Sequence, residues 1–195
     1  MHGLMNRAIQ CFVRDTYGSG AWRDVAARTG LGPHGFEAML SYDDAVTWRV
    51  LDLVCARLGK PEDAVLEDLG TYLVSHPNLE ALRRLLRFGG VDFVDFLHSL
   101  DELADRARLA VPDLALPPIE VEALSDERFR LRLWSPRPGF GHVLVGVIRA
   151  MADDYGALAM IEHEGALGGS ESVEVQVMLT GFAPGRGFDL AGRAA

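Results

Sequence analysis

Six histidines are spread along the 195-residue chain, at His2, His34, His76, His98, His142 and His163. Histidine is a common metal ligand and general base, so their spacing decides which chemistry is open. No HExxH, HxH or Cys/His grouping at ligand spacing occurs, and a zinc-type site has no support. Cys11 and Cys55 stand apart, in no CxxC pair; they read as small core residues of a protein in a reducing cytosol. No GxSxG, Walker loop or GxGxxG is present, and no nucleophile–base pair emerges, so the chain is not read as an enzyme. Glu162-His163-Glu164 reads as the solvated end of a strand. Acidic residues outnumber basic ones 28 to 19, giving a formal net charge of −9, the opposite of a nucleic-acid binder.

Two patterns remain that point to a ligand. The segment from about 91 to 109 reads as one helix with Phe93, Phe96, Leu97, Leu100, Leu103, Ala104 and Ala107 on a buried stripe. The stripe is bulky at its start and small at its end, as suits close helix packing or a wide, flat ligand. The second pattern is Trp134-Ser135-Pro136-Arg137, which sets a hydroxyl and a guanidinium just ahead of a helix N-terminus. A cation there is unfavourable against the helix dipole unless an anion joins it. Arginine with free backbone N–H groups makes a carboxylate or phosphate site, although a surface turn is the default for so short a motif.

The elements that position these residues change character midway. The first 110 residues read as helices, with amphipathic stretches over Met1–Tyr17, Ala21–Thr29, Asp43–Leu58, Pro61 to about His76, and 78 to 87. The opening helix lacks the clean apolar run and cleavage site of a signal peptide, and no 18-residue apolar stretch spans a membrane. Beyond Pro118 the period falls to two over Ile119–Leu124, Phe129–Trp134, Ala157–Glu164 and Ser172–Leu179, with a helix over His142–Tyr155 between the pairs.

Several segments together resemble H-NOX domains, the haem nitric oxide/oxygen-binding family shared with soluble guanylate cyclase. They are Met1-His2-Gly3-Leu4-Met5-Asn6-Arg7-Ala8-Ile9-Gln10, Asp44-Ala45-Val46-Thr47-Trp48, Leu58-Gly59-Lys60-Pro61 and Phe96-Leu97-His98-Ser99-Leu100-Asp101-Glu102-Leu103. Pro112-Asp113-Leu114, Pro117-Pro118 and the Ser135/Arg137 pair follow in the family's order. The resemblance implies an α+β fold over residues 1–180. A helical N-terminal sub-domain (1–112) packs on a small C-terminal antiparallel sheet with one long helix (118–180), and 181–195 form a flexible tail. It further implies a cytoplasmic sensor of NO or O2 that regulates a signalling enzyme such as a histidine kinase or a cyclic-di-GMP enzyme. Haem would lie between the two parts, near Leu100, Ala104, Pro117, Leu133, Ser135 and Arg137.

Two positions depart from the family. Its proximal iron ligand is a histidine after the run resembling Leu100-Asp101-Glu102-Leu103, and that place holds Ala104. Its Tyr-x-Ser-x-Arg, which grips the haem propionates, reads Leu133-Trp134-Ser135-Pro136-Arg137. On one continuous helix His98 would sit about 240° around from Ala104, off the stripe; His2 and His142 reach a ligand only from other sides. A haem-sized void left empty would cost on the order of 10 kcal/mol, as much as a domain's whole stability. Haem held by other contacts, a different apolar anionic ligand, or a repacked core in a protein–protein regulatory module therefore stay open.

Overall fold

The computed structural model describes residues 1–32, 35–135 and 137–188. His34 and Pro33, Pro136 of the Ser135/Arg137 segment, and residues 189–195 of the expected tail lie outside the described residues. The chain divides into two compact units, 1–65 with 110–115, and 66–109 with the residues from 116 onward. Residues 66–109, which the expected sub-domain 1–112 included, fall in the second of these units. The helices of 66–109 join the sheet because Val74, Leu86, Phe93, Phe96, Leu97 and Leu100 share its core.

The first unit holds α1 (Gly3–Tyr17), α2 (Ser19–Thr29) and α3 (Asp44–Leu58), followed by the start of α4 (Glu62–Ser75). Phe12, Val13, Trp22, Val25, Phe36, Val50 and Val54 form its interior. The buried side of the amphipathic α1 is not wholly apolar: Leu4 is exposed, whereas Asn6 and Gln10 are buried. Polar groups survive inside when they are hydrogen-bonded. Thr47 Oγ1 donates to Asn6 Oδ1 at 2.7 Å, and the Phe36 amide donates to Gln10 Oε1 at 2.9 Å.

In the second unit the antiparallel order is β1 (Ile119–Ala123), β2 (Arg128–Trp134), β4 (Ser170–Leu179), β3 (Leu158–Leu167). Alternation puts Phe129, Leu131, Leu133, Val173, Val175 and Val177 on the buried face. Against this face lies α8 (Phe140–Tyr155), with Val145, Ile148 and Met151 wholly buried. The outward residues Arg128, Arg130 and Arg132 pair with Glu174, Glu164 and Glu122, so that face is a lattice of opposite charges.

Helix α8 also meets α4 backbone to backbone. A Cβ on Gly146 would stand 2.0 Å from the Glu67 carbonyl oxygen, and one on Gly70 would stand 2.1 Å from that of Val143. Neither contact can be relieved by rotating a side chain, so both positions require glycine.

At the other end of α8, Asp154 is buried and accepts from Arg83 Nε at 2.7 Å, from a helix α5 (Glu80–Arg87) that follows a 3-10 turn at Pro77–Leu79. Arg83 Nη2 donates to the Gly187 carbonyl at 3.0 Å, and the Phe182 and Ala183 amides donate to the Gly156 carbonyl. Residues 182–187 of the expected loose tail are thus tied to the unit, because buried carbonyls and a buried guanidinium needed partners. The Tyr155 hydroxyl donates to the Gly90 carbonyl at 2.9 Å, and burial pushes its pKa from 10.0 to about 12.

Two outcomes follow for stability. Gly146→Ala should lower unfolding free energy by about 2–3 kcal/mol in a urea titration, since the added methyl meets backbone. A phenol whose folded pKa is raised stabilises the fold fully below pH 10.0 and loses that contribution as pH climbs through about 12. Alkaline unfolding followed by circular dichroism should therefore steepen in that window, and Tyr155→Phe should remove the steepening.

Candidate functional site

The segment expected to bear a ligand is not one helix. It runs as α6 (Phe93–His98), a 3-10 turn at Ser99–Glu102 and α7 (Leu103–Ala110). Asp92 caps α6 by accepting from the Asp95 amide at 2.9 Å. Arg106 Nη2 reaches back to the Ser99 carbonyl at 2.7 Å and to Ser99 Oγ at 3.2 Å, which fastens the tightened turn. The single helix expected over 91–109 is therefore broken at the turn, but most of its stripe is buried: Phe93, Phe96, Leu97, Leu100 and Ala107 lie inside, while Leu103 and Ala104 are half-buried.

The six expected ligand-contacting residues are not all brought together. Leu100 and Leu133 lie in the same closed core with Phe129, Leu131 and Val173. Ala104 on α7, Pro117 ahead of β1, and Ser135 and Arg137 in the β2–α8 loop are half-buried and outside that core.

The helix end expected to receive an external anion holds one of the protein's own. Glu171 on β4 is 2% exposed and its Oε2 accepts from the Gly139 amide at 2.9 Å and the Gly141 amide at 3.2 Å. It thereby takes the place at the start of α8 that the dipole and the unpaired N–H groups favour for a negative charge. His163 Nδ1 accepts from the Gly165 amide at 3.2 Å, so its other nitrogen carries the proton and donates to Glu171 Oε2 at 3.1 Å. His142 stacks on His163 with ring centroids 4.1 Å apart and meets Glu67 Oε1 at 3.4 Å. Glu67 in turn pairs with Arg149. Of the segment Glu162-His163-Glu164, expected to be solvated, the two glutamates are exposed, but His163 is largely buried in a carboxylate–imidazole–imidazole–carboxylate row. One sequence signal bears on the inward side of Glu171, though not on its partners. Glu171 is in phase with Val173, Val175 and Val177, so the alternation aims its carboxylate inward.

The other described histidines are also occupied in their own neighbourhoods. His2 caps α1, accepting from the Leu4 amide at 3.2 Å, and His76 accepts from the Asn78 amide at 3.3 Å. His98 is exposed, with its ring edge-on to Phe129 at 5.2 Å, on a helix that ends before α7 begins. Among the described residues, no group of three His, Cys, Asp or Glu side chains is arranged to hold a metal ion. The methyl side chain of Ala104 offers no lone pair. The residues present do not fit a haem iron bonded from that place on α7.

Comparison with known proteins gives the chain its relatives. The family model described as Haem-NO-binding matches residues 2–163. Soluble guanylate cyclase gcy-31 of Caenorhabditis elegans is 25% identical over 154 residues, 79% of this chain and 22% of that protein. Soluble guanylate cyclase gcy-32 of the same organism is 28% identical over 156 residues, 78% of this chain and 23% of the relative. The chain thus spans under a quarter of the length of these cyclases. Among solved structures, an H-NOX protein from S. oneidensis in the Fe(II) ligation state superposes with a TM-score of 0.76 at 20% identity, covering 92% of this chain and 97% of the other. An oxygen-binding H-NOX domain related to soluble guanylate cyclases gives 0.70 at 17% identity, over 96% and 100%. These likenesses establish the shared α+β fold.

The Glu171 row makes a stability prediction. Glu171→Ala leaves two amides and an imidazole N–H without their acceptor and should cost about 3 kcal/mol, whereas Glu171→Gln keeps an acceptor and should cost about 1 kcal/mol. Urea unfolding of the two variants checks the difference; equal losses would show that the acceptor is unimportant.

Proposed function

The chain belongs to the Haem-NO-binding family, and from that premise we propose that it is a haem-carrying sensor of NO or O2 whose iron takes no bond from α7. Ser135 and Arg137, retained at the family's propionate-gripping positions, are the residues we assign to hold the haem. Bound haem would supply an iron centre for a diatomic gas, and the domain acts by passing its liganded state to a signalling enzyme rather than by catalysis. A histidine kinase or a cyclic-di-GMP enzyme is the partner class that the family suggests.

The family match over residues 2–163 carries the haem reading; the lost bond rests on alanine at 104, with His2, His76, His142 and His163 hydrogen-bonded elsewhere and His98 exposed against Phe129. A second reading is an anionic ligand other than haem; Glu171 already fills the start of α8, so in either reading the ligand's carboxylates rest on Ser135 and Arg137 without that helix end.

The test is optical. The chain purified with haem supplied should show a Soret band that differs from that of a histidine-ligated haem, and Ala104→His should convert it to the histidine-ligated spectrum with tighter retention. A histidine-type spectrum in the unaltered chain would refute the lost bond. Failure of the unaltered chain to retain stoichiometric haem would refute haem carriage and leave a haem-free regulatory module.

A further inference from the structure

A groove of about 750 Å³ opens on the second unit beside the α5–α6 connection and the 3-10 turn. Phe88, Gly89, Gly90 and Val91 line it, and the Phe88 and Val91 side chains are 71% and 90% exposed. Large apolar side chains so far in water, lining one concave surface, mark a contact surface.

The charge of the groove says what it would contact. Asp95, Asp101 and Glu102 line it and are exposed. Arg87 lines it too, but its guanidinium is turned inward, 3.8 Å from the Tyr155 ring centre, with Nε 3.6 Å from Asp154. The outward charge is therefore acidic, on a chain of net charge −9.

We propose that this groove docks a basic, amphipathic segment of a protein partner, with the segment's apolar residues on Phe88 and Val91 and its cations on Asp95, Asp101 and Glu102. An open groove with apolar flanks suits a chain segment, whose alternating apolar and cationic side chains can meet both features at once. The inference rests on the regulatory reading above only for the existence of a partner. Docking at this turn would engage the segment that leads directly into Ala104 and α7.

The experiment uses the full chain and two fluorescent peptides of equal length and identical leucine pattern, one with lysine and one with glutamate at the polar positions. Fluorescence anisotropy should show binding of the lysine peptide alone, weakening as salt rises. Asp101→Lys with Glu102→Lys, and separately Phe88→Ser with Val91→Ser, should each weaken it about tenfold. Asp52→Lys with Asp63→Lys, an equal charge change at exposed positions outside the groove, should leave it within about twofold. All these side chains are exposed, and circular dichroism confirms that the variants fold.

Binding of the glutamate peptide, or groove variants that behave like the control pair, would overturn the proposal. So would displacement of the lysine peptide by spermidine at equal concentration, which would make the groove a site for small organic cations. The measurement needs no haem, so its failure and the failure of the haem reading are separable.

Discussion

Helix α8 is enclosed by protein along most of its length, and a helix so placed cannot leave its ends to water. One side lies on the sheet, and another lies on α4 through the bare backbone of Gly70 and Gly146. At its start the unpaired amides of Gly139 and Gly141 receive the Glu171 carboxylate. At its end the buried Asp154 receives Arg83, and the Gly156 carbonyl receives the amides of Phe182 and Ala183. Each of these partners then needs its own. Glu171 holds His163, His163 stacks on His142, and Arg83 holds the carbonyls of Arg186 and Gly187. The burial of one helix thus organises polar groups from α4, α5, two strands and residues 182–187.

The described histidines are likewise each engaged in their own neighbourhoods. In the second unit, His163 is held by the buried Glu171 and His142 meets the half-buried Glu67. His2 and His76 are used at helix starts, where an unprotonated ring nitrogen accepts an amide N–H. Availability of a residue type says little about ligation, because a side chain fixed by one set of partners cannot also reach another. The 3-10 turn at Ser99–Glu102 adds a second constraint, since it separates the exposed His98 from the helix that carries Ala104.

Much of the fold was legible along the chain. The change from helical to alternating period beyond Pro118, the four strands and the long helix over 142–155 all follow from local pattern. So does the alanine at 104, which no structure is needed to read. The break in the 91–109 segment was not legible, because its apolar spacing continues through the turn while Arg106 fixes the break by reaching back to Ser99. The burial of Asn6 and Gln10 was equally hidden. Polarity predicts exposure until a partner such as Thr47 Oγ1 or the Phe36 amide is known to stand opposite.

The sequence by itself determined the class of fold, the family resemblance and the absence of a coordinating side chain at 104. These depend on residue identity and short-range period, which a linear chain displays directly. Tertiary structure alone decided that the start of α8 is filled by Glu171, that the histidine pair is stacked, and that residues 182–187 are held. Each of these joins groups far apart in sequence, and whether a charged or polar side chain faces water or a buried partner is settled only when the chain has folded around it. The six histidines of the sequence were therefore a question, and for the five described ones the answer lay in what surrounds each ring.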